Sequence, residues 1–144
     1  MVVSVSKDGE QYEVANYRKD SKSTDGRHPE TVEIGTLDED AHRRDFTINA
    51  LYLRPGSRQA DGLDALLDPT GQGQKDLQNK ILRFIGKPED RIKEDYLRVF
   101  RFYRFLAKGY RADRKSLVAC RTLFNDAYKN TTPERVRAEL EKLI

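Results

Sequence analysis

Apolar and polar residues alternate weakly from Val2 to Ser6, and Asp8-Gly9 follows at the place of a hairpin turn. An Asp-Gly pair supplies the positive backbone angles that a tight turn between twisted strands requires. Tyr12–Tyr17 (Tyr-Glu-Val-Ala-Asn-Tyr) reads as the returning strand, and Thr31–Ile34 as another short one. Between them, Lys19 to Pro29 is polar and rich in turn formers, so a loop is expected. Asp38–Arg44 places acids first and bases last, an order that suits a helix dipole. The apolar run Phe46–Leu53 ends at Arg54-Pro55-Gly56. Leu66-Leu67 is a short strand before the turn Asp68-Pro69-Thr70-Gly71, Gln74–Asn79 is a turn or two of helix, and Ile81–Ile85 is a strand. From Pro88 the pattern turns helical, over about 88–107, 113–129 and 133–144. Pro88 and Pro133 both suit the first turn of a helix. The order predicts an α+β fold: a few antiparallel or mixed strands over residues 1–87, then a helical region over 88–144.

Length and charge narrow the function. The chain has 144 residues, enough for one small domain or one with an appendage. No apolar run is long enough to cross a membrane, and the N-terminus lacks the basic-then-apolar order of a signal peptide. One cysteine, Cys120, and two histidines leave no disulfide and no cysteine-histidine metal cluster, so a reduced, cytoplasmic location is the expectation. The net charge of +3 is unremarkable, but Arg83–Lys115 holds eleven Lys/Arg against five Asp/Glu. That surplus is read either as a solvated, ion-paired helix surface or as a site for phosphates.

The helix predicted over 88–107 carries the first candidate chemistry. Ile92, Tyr96, Val99, Phe100, Tyr103 and Leu106 share one face at a period of 3.6 residues. Asp95, Arg98, Arg101 and Arg104 recur every third position, with Leu97, Phe102 and Phe105 among them. Apolar residues on both sides describe a helix lodged between two layers. Partly enclosed arginines need anions, which are either phosphates or carboxylates of the chain itself. Glu94 with Arg98, or Arg91 with Asp95, would satisfy the second reading. A second cluster, His42-Arg43-Arg44-Asp45-Phe46-Thr47-Ile48-Asn49, puts two cations and a carboxylate just before an apolar run. Asn49 there is expected to bond backbone groups, whereas Arg44 and Asp45 are open between structural and functional roles.

His-Arg-Arg-Asp-Phe-Thr-Ile-Asn-Ala-Leu (42–51) resembles a signature of the class II tRNA nucleotidyltransferase and bacterial poly(A) polymerase family. Three further blocks resemble it in the same order: Asp68–Gly86, Glu94–Phe105 (written E-D-x-x-R-x-x-R-x-x-R-F) and Pro133–Ile144. The resemblance covers about residues 10–144, with Glu94–Phe105 nearer the CCA-adding branch. The resemblance implies a partial nucleotidyltransferase head over 1–87 and a helical neck over 88–144. It implies RNA 3′-end synthesis with CTP and ATP, two magnesium ions as cofactors, and tRNA or another RNA 3′ end as partner. Arg44, Arg101 and Arg104 would hold the nucleotide and its phosphates, Asp95 and Arg98 would read the base, and Asp45 and, with less weight, Glu13 would be catalytic carboxylates.

One departure qualifies this. The family begins with Gly-Gly-x-Val-Arg-Asp and a strand carrying the metal-binding Asp-x-Asp, and this sequence shows neither. Asp38-Glu39-Asp40 imitates the letters but reads as a helix N-terminus. An internal piece of such an enzyme is therefore expected, inactive alone, with an unpaired sheet edge that favours self-association or a complementary N-terminal half. Three functions stand: CCA addition to tRNA, poly(A) synthesis with ATP, and a non-catalytic nucleotide- or RNA-binding remnant.

Overall fold

The computed structural model of the chain describes residues 2–20 and 32–144. Strands β1 (Val2–Lys7) and β2 (Glu10–Ala15) form an antiparallel hairpin in which Val5 faces Tyr12 and Ser4 faces Glu13. Its turn is the predicted Asp8-Gly9 pair, both at positive φ (53° and 81°), as a two-residue hairpin of this twist requires. The hairpin is exposed along its whole length; Val2, Val14 and Tyr12 are 61%, 59% and 49% accessible. Strand β3 (Arg18–Asp20) takes the first residues of the predicted loop and pairs antiparallel with β4 (Val32–Ile34). The rest of that loop lies outside the described residues.

Helix α1 (Leu37–His42) starts where the acid-first pattern placed it. Thr36 caps it, accepting from the Glu39 amide while the Glu39 carboxylate accepts from the Thr36 amide. Phe46–Leu53 is not one continuous element: a 3-10 turn over Thr47–Asn49 precedes β5 (Tyr52–Leu53), which pairs antiparallel with β6 (Leu66–Leu67). The Asp68–Gly71 turn closes with a Gly71 N–H to Asp68 C=O bond of 2.9 Å, and Gly71 sits at φ 73°. The Asp68 carboxylate then accepts from the Gly73 and Gln74 amides at the start of α2 (Gly73–Asn79). A side chain at Gly73 would meet the Thr47 carbonyl at 2.6 Å, so glycine lets α2 lie directly on the 3-10 turn. Strand β7 (Ile81–Leu82) follows.

The helix expected over 88–107 is two helices. α3 (Pro88–Glu94) stops at Asp95, whose backbone is extended (φ −154°, ψ 105°), and α4 (Leu97–Ala107) begins two residues later. Asp95 makes the break: its carboxylate accepts from the Leu97 amide and its carbonyl from the Arg98 amide. Arg111-Ala112, too short to show a pattern, forms β8 and pairs parallel with β7. The helix expected over 113–129 is likewise split at Leu123 into α5 (Arg114–Thr122) and α6 (Phe124–Asn130), and α7 (Pro133–Glu141) is capped by Thr132.

The main core joins the two halves of the sequence. Phe46, Leu82 and Phe84 pack with Ile92, Val99, Phe102, Ala119 and Cys120, all nearly inaccessible. Phe84 and Phe102 stack at 5.7 Å. α4 packs against α3, α6, α7 and β7, the enclosed position that its two apolar flanks foretold. At a gain of about 1.5–3 kcal/mol per fully buried large side chain, this aromatic centre fixes α4 against Phe46, the residue next to Asp45.

Candidate functional site

Asp40, in the first turn of α1, is buried, with 2% of its surface accessible. Its Oδ1 accepts from Nε and Nη2 of Arg43 (3.0 and 2.7 Å) and from the Arg18 amide (3.1 Å). Its Oδ2 accepts from Nε and Nη2 of Arg44 (3.2 and 3.0 Å) and from the Tyr52 hydroxyl (2.8 Å). Burial opposes its charge, but the bonds from Tyr52, the Arg18 amide, Arg43 and Arg44 prevail and hold its carboxyl well below the usual range. Tyr52 moves the other way: burial and its bond to Asp40 push the hydroxyl up to about 12. All three acids that open α1 lie in its first turn, as expected. Asp40 in addition ties down the two arginines that follow, a role the sequence did not reveal.

Asp45 is buried beside Phe46 of the main core. Its Oδ1 accepts from the Phe46 amide (2.7 Å) and from Nδ2 of Asn49 (3.0 Å), and its Oδ2 from Nε of Arg101 (2.6 Å). Asn49 thus bonds a carboxylate rather than the backbone partner expected of it. Arg101 reaches Asp45 across 56 positions of sequence because the aromatic core sets α4 beside the 3-10 turn.

These side chains line one cavity of about 480 Å³, formed by Arg44, Asp45, Asn49, Asp95, Leu97, Arg98, Arg101 and Phe105. Asp95 and Arg98 both reach it, although the broken helix places them by capping geometry rather than by one continuous turn. Arg98 donates from Nη1 to the Arg91 carbonyl and Glu94 and from Nη2 to the Arg43 carbonyl. Three of its five N–H groups are so used, and two remain for a ligand. Arg91 pairs with Glu94 and not with Asp95; the partner of Asp95 is Arg135 on α7, at 3.3 Å to both oxygens. Arg101 leaves Nη2 without a hydrogen bond and has Nη1 only 3.8 Å from Glu139, and Arg44 leaves Nη1 without a hydrogen bond, which suits them to an anion.

Two residues named from sequence lie elsewhere. Arg104 is buried and hydrogen-bonded to Glu139 of α7, itself 2% accessible, and does not line the cavity. Glu13 sits on the exposed hairpin, also away from it. Among the described residues no group of three or more His, Cys, Asp or Glu is placed to hold a metal ion. Asp45 has both oxygens engaged by N–H donors and Asp95 faces Arg135, so the carboxylates present do not fit a magnesium pair by themselves.

A family model described as the poly A polymerase head domain matches residues 1–83, more than half of the chain. The chain belongs to that family. Its relatives extend the likeness beyond residue 83. The CCA-adding enzyme of Oceanobacillus iheyensis is 36% identical over 99% of this chain and 34% of its own length. That of Bacillus subtilis is 39% identical over 94% and 32%. A solved Bacillus stearothermophilus CCA-adding enzyme in complex with CTP superposes with a TM-score of 0.79 at 29% identity, covering 99% of this chain and 32% of that one. A CCA-adding enzyme with ATP gives 0.72 at 26%, over 99% and 30%. The chain thus spans about a third of the length of these relatives. Among its described residues no helix is long and apolar enough to cross a membrane.

Proposed function

We propose that this chain carries the nucleotide-selecting pocket of a CCA-adding RNA nucleotidyltransferase, which builds or repairs tRNA 3′ ends from CTP and ATP in the cytoplasm. In this reading residues 1–87 are the later part of the catalytic head and 88–144 the neck. The observation that carries it is the meeting of Arg44, Asp45, Asp95, Arg98 and Arg101 on one cavity, drawn from two separate sequence blocks. Solved relatives bound to CTP and to ATP support it.

Each side chain has a chemical task. Cytosine and adenine both present an amino donor beside a ring-nitrogen acceptor. The Asp95 carboxylate accepts from the amino group, and the remaining N–H groups of Arg98 donate to the ring nitrogen. Uracil and guanine present a carbonyl and an N–H in those places and would set like against like. Arg101 and Arg44 offer terminal guanidinium donors to the triphosphate, with Asp45 and Asp40 fixing their orientation from behind. Arg104 acts one layer back, locking α7 to α4 through Glu139. In this family magnesium supplies the activation of the RNA hydroxyl. The carboxylates here do not form that site, so no step of the transfer is assigned to this chain alone.

The test is incorporation of labelled CTP and ATP into tRNA ending before CCA, with and without an added N-terminal segment carrying Asp-x-Asp. Addition of both nucleotides only in the complemented reaction is expected. ATP addition alone would assign poly(A) synthesis, and no nucleotide binding at all would overturn the pocket.

A further inference from the structure

Helix α7 does not line the nucleotide cavity, yet it reaches two of the residues that do. Nη2 of Arg135 lies 3.3 Å from both carboxylate oxygens of Asp95. One turn further along, Glu139 accepts from Arg104 and lies 3.8 Å from Nη1 of Arg101. Positions four apart share a helix face and lie about 6 Å apart along the axis. One rigid face of α7 therefore meets both the residue read as the base acceptor and a residue read as holding phosphate. Asp95 needs such support. It sits in the break between α3 and α4, on extended backbone, where no helical turn orders its side chain. Its Oδ1 accepts from the Leu97 amide at 3.2 Å. Among the described residues Oδ2 receives Arg135 alone, so Arg135 fixes the plane of the carboxylate and a lone pair is left for a ligand. The Thr132 cap of α7 uses the Arg135 amide and not its side chain. The Arg135 and Asp95 side chains are 35% and 25% accessible, an exposure at which an ion pair adds little to stability.

We propose that Arg135 is a positioning residue for base selection: it holds the Asp95 carboxylate in the orientation that accepts the amino group of cytosine or adenine. The inference rests on the reading of Asp95 as the base acceptor, and adds to it a residue outside the cavity and 40 positions along the chain. An acceptor discriminates between bases only while its own geometry is held; a carboxylate that turns freely spends its lone pairs on water and meets every base alike. Arg135 does not line the cavity, so its loss acts on the choice among bases and not on the hold on the triphosphate. The contact comes from one nitrogen, not from a two-pronged fork, so an ammonium at this position can replace it.

The test is competition binding of the purified chain with CTP, ATP, UTP and GTP, and with inorganic triphosphate as a probe that has no base. Arg135→Ala should lower the preference for CTP and ATP about threefold to tenfold, part of the worth of a charged hydrogen bond, while inorganic triphosphate binds as to wild type. Arg135→Lys should recover most of that preference. Arg137→Ala breaks the exposed pair with Glu141 at the same loss of charge and should change neither reading. In an Asp95→Ala background Arg135→Ala should lower the preference no further, because it acts through Asp95. Exchange of the Leu97 amide, which bonds the same carboxylate and needs no nucleotide, should quicken in Arg135→Ala and slow again in Arg135→Lys. A preference unchanged in Arg135→Ala, or an equal further loss in the Asp95→Ala background, would overturn the proposal. Wild-type chain with no preference among the four triphosphates refutes the pocket reading. Unaltered Leu97 exchange in Arg135→Ala refutes the positioning by itself, whatever the nucleotides do.

Discussion

Replacing Asp40 by alanine should unfasten the candidate site from behind. The substitution removes six hydrogen bonds and leaves two guanidinium groups and a tyrosine hydroxyl facing an apolar side chain. Arg43 and Arg44 remain 23% and 39% accessible at the side chain, so water recovers part of the loss. Breaking a buried ion pair from one side costs about 3–5 kcal/mol, and the lower half of that range is the better figure here. For a domain of this size, 3 kcal/mol lowers Tm by roughly 10 °C. Arg44 is also freed from the cavity wall, so triphosphate affinity should fall beyond the stability change. The folded carboxyl of Asp40 lies below its unfolded value of about 3.9. Its contribution is therefore complete above that pH and is lost as pH falls toward the folded value. Thermal melts of wild type and Asp40→Ala should converge as pH drops below about 4, and calorimetry at 15 °C should show weaker ATP and CTP binding by the variant. A Tm within 2 °C of wild type at pH 7, or unchanged affinity, would refute the reasoning.

Other outcomes follow from the same geometry. Arg101→Ala should weaken all triphosphates alike if, as proposed, its guanidinium addresses phosphate and not base; a loss confined to one base in calorimetry would contradict this. Arg104→Ala should act on folding first, leaving buried Glu139 with only Lys142 at 3.1 Å and Arg101 at 3.8 Å, at a cost of about 3 kcal/mol, the low end for breaking a buried pair, which denaturant melts will measure. Asp95→Ala should reduce preference for CTP and ATP over UTP and GTP by about 1.5–3 kcal/mol, a lost charged hydrogen bond, as read by competition binding. The purified chain alone should add no nucleotide to tRNA with magnesium present, since two-metal transfer needs ions about 3.5–4 Å apart held by several carboxylates; steady incorporation would show that another carboxylate set serves.

That Arg44, Asp45, Asp95, Arg98 and Arg101 belong to one site was expected from the family resemblance of two dense blocks, since charge and spacing alone left ion pairs and phosphates both open. The structure does place these five residues on one cavity. The Asp8-Gly9 turn, the capped α1 and the enclosure of α4 were readable because each rests on local pattern. The break at Asp95 was not. Apolar periodicity runs through 92–106 without interruption, and a single capping carboxylate outweighs it at one residue. Asp40 looked like a dipole-stabilising acid because its partners Arg18 and Tyr52 lie 22 and 12 positions away. Arg104 joined the arginine row by spacing, but its partner Glu139 arrives from a different helix 35 positions on. Strand β8 has two residues and takes its form only from β7. Contacts between distant segments decided the last three, and a local cap decided the first.

The measurement that bears most directly on the pocket is a calorimetric titration of the purified chain with each of the four ribonucleoside triphosphates, without metal. CTP and ATP should bind weakly and with strong salt dependence, UTP and GTP more weakly still, and Arg101→Ala should abolish detectable heat for all four. Equal affinity for the four, or binding that survives Arg101→Ala, would contradict a cavity in which Asp95 and Arg98 select the base and Arg101 holds the phosphates.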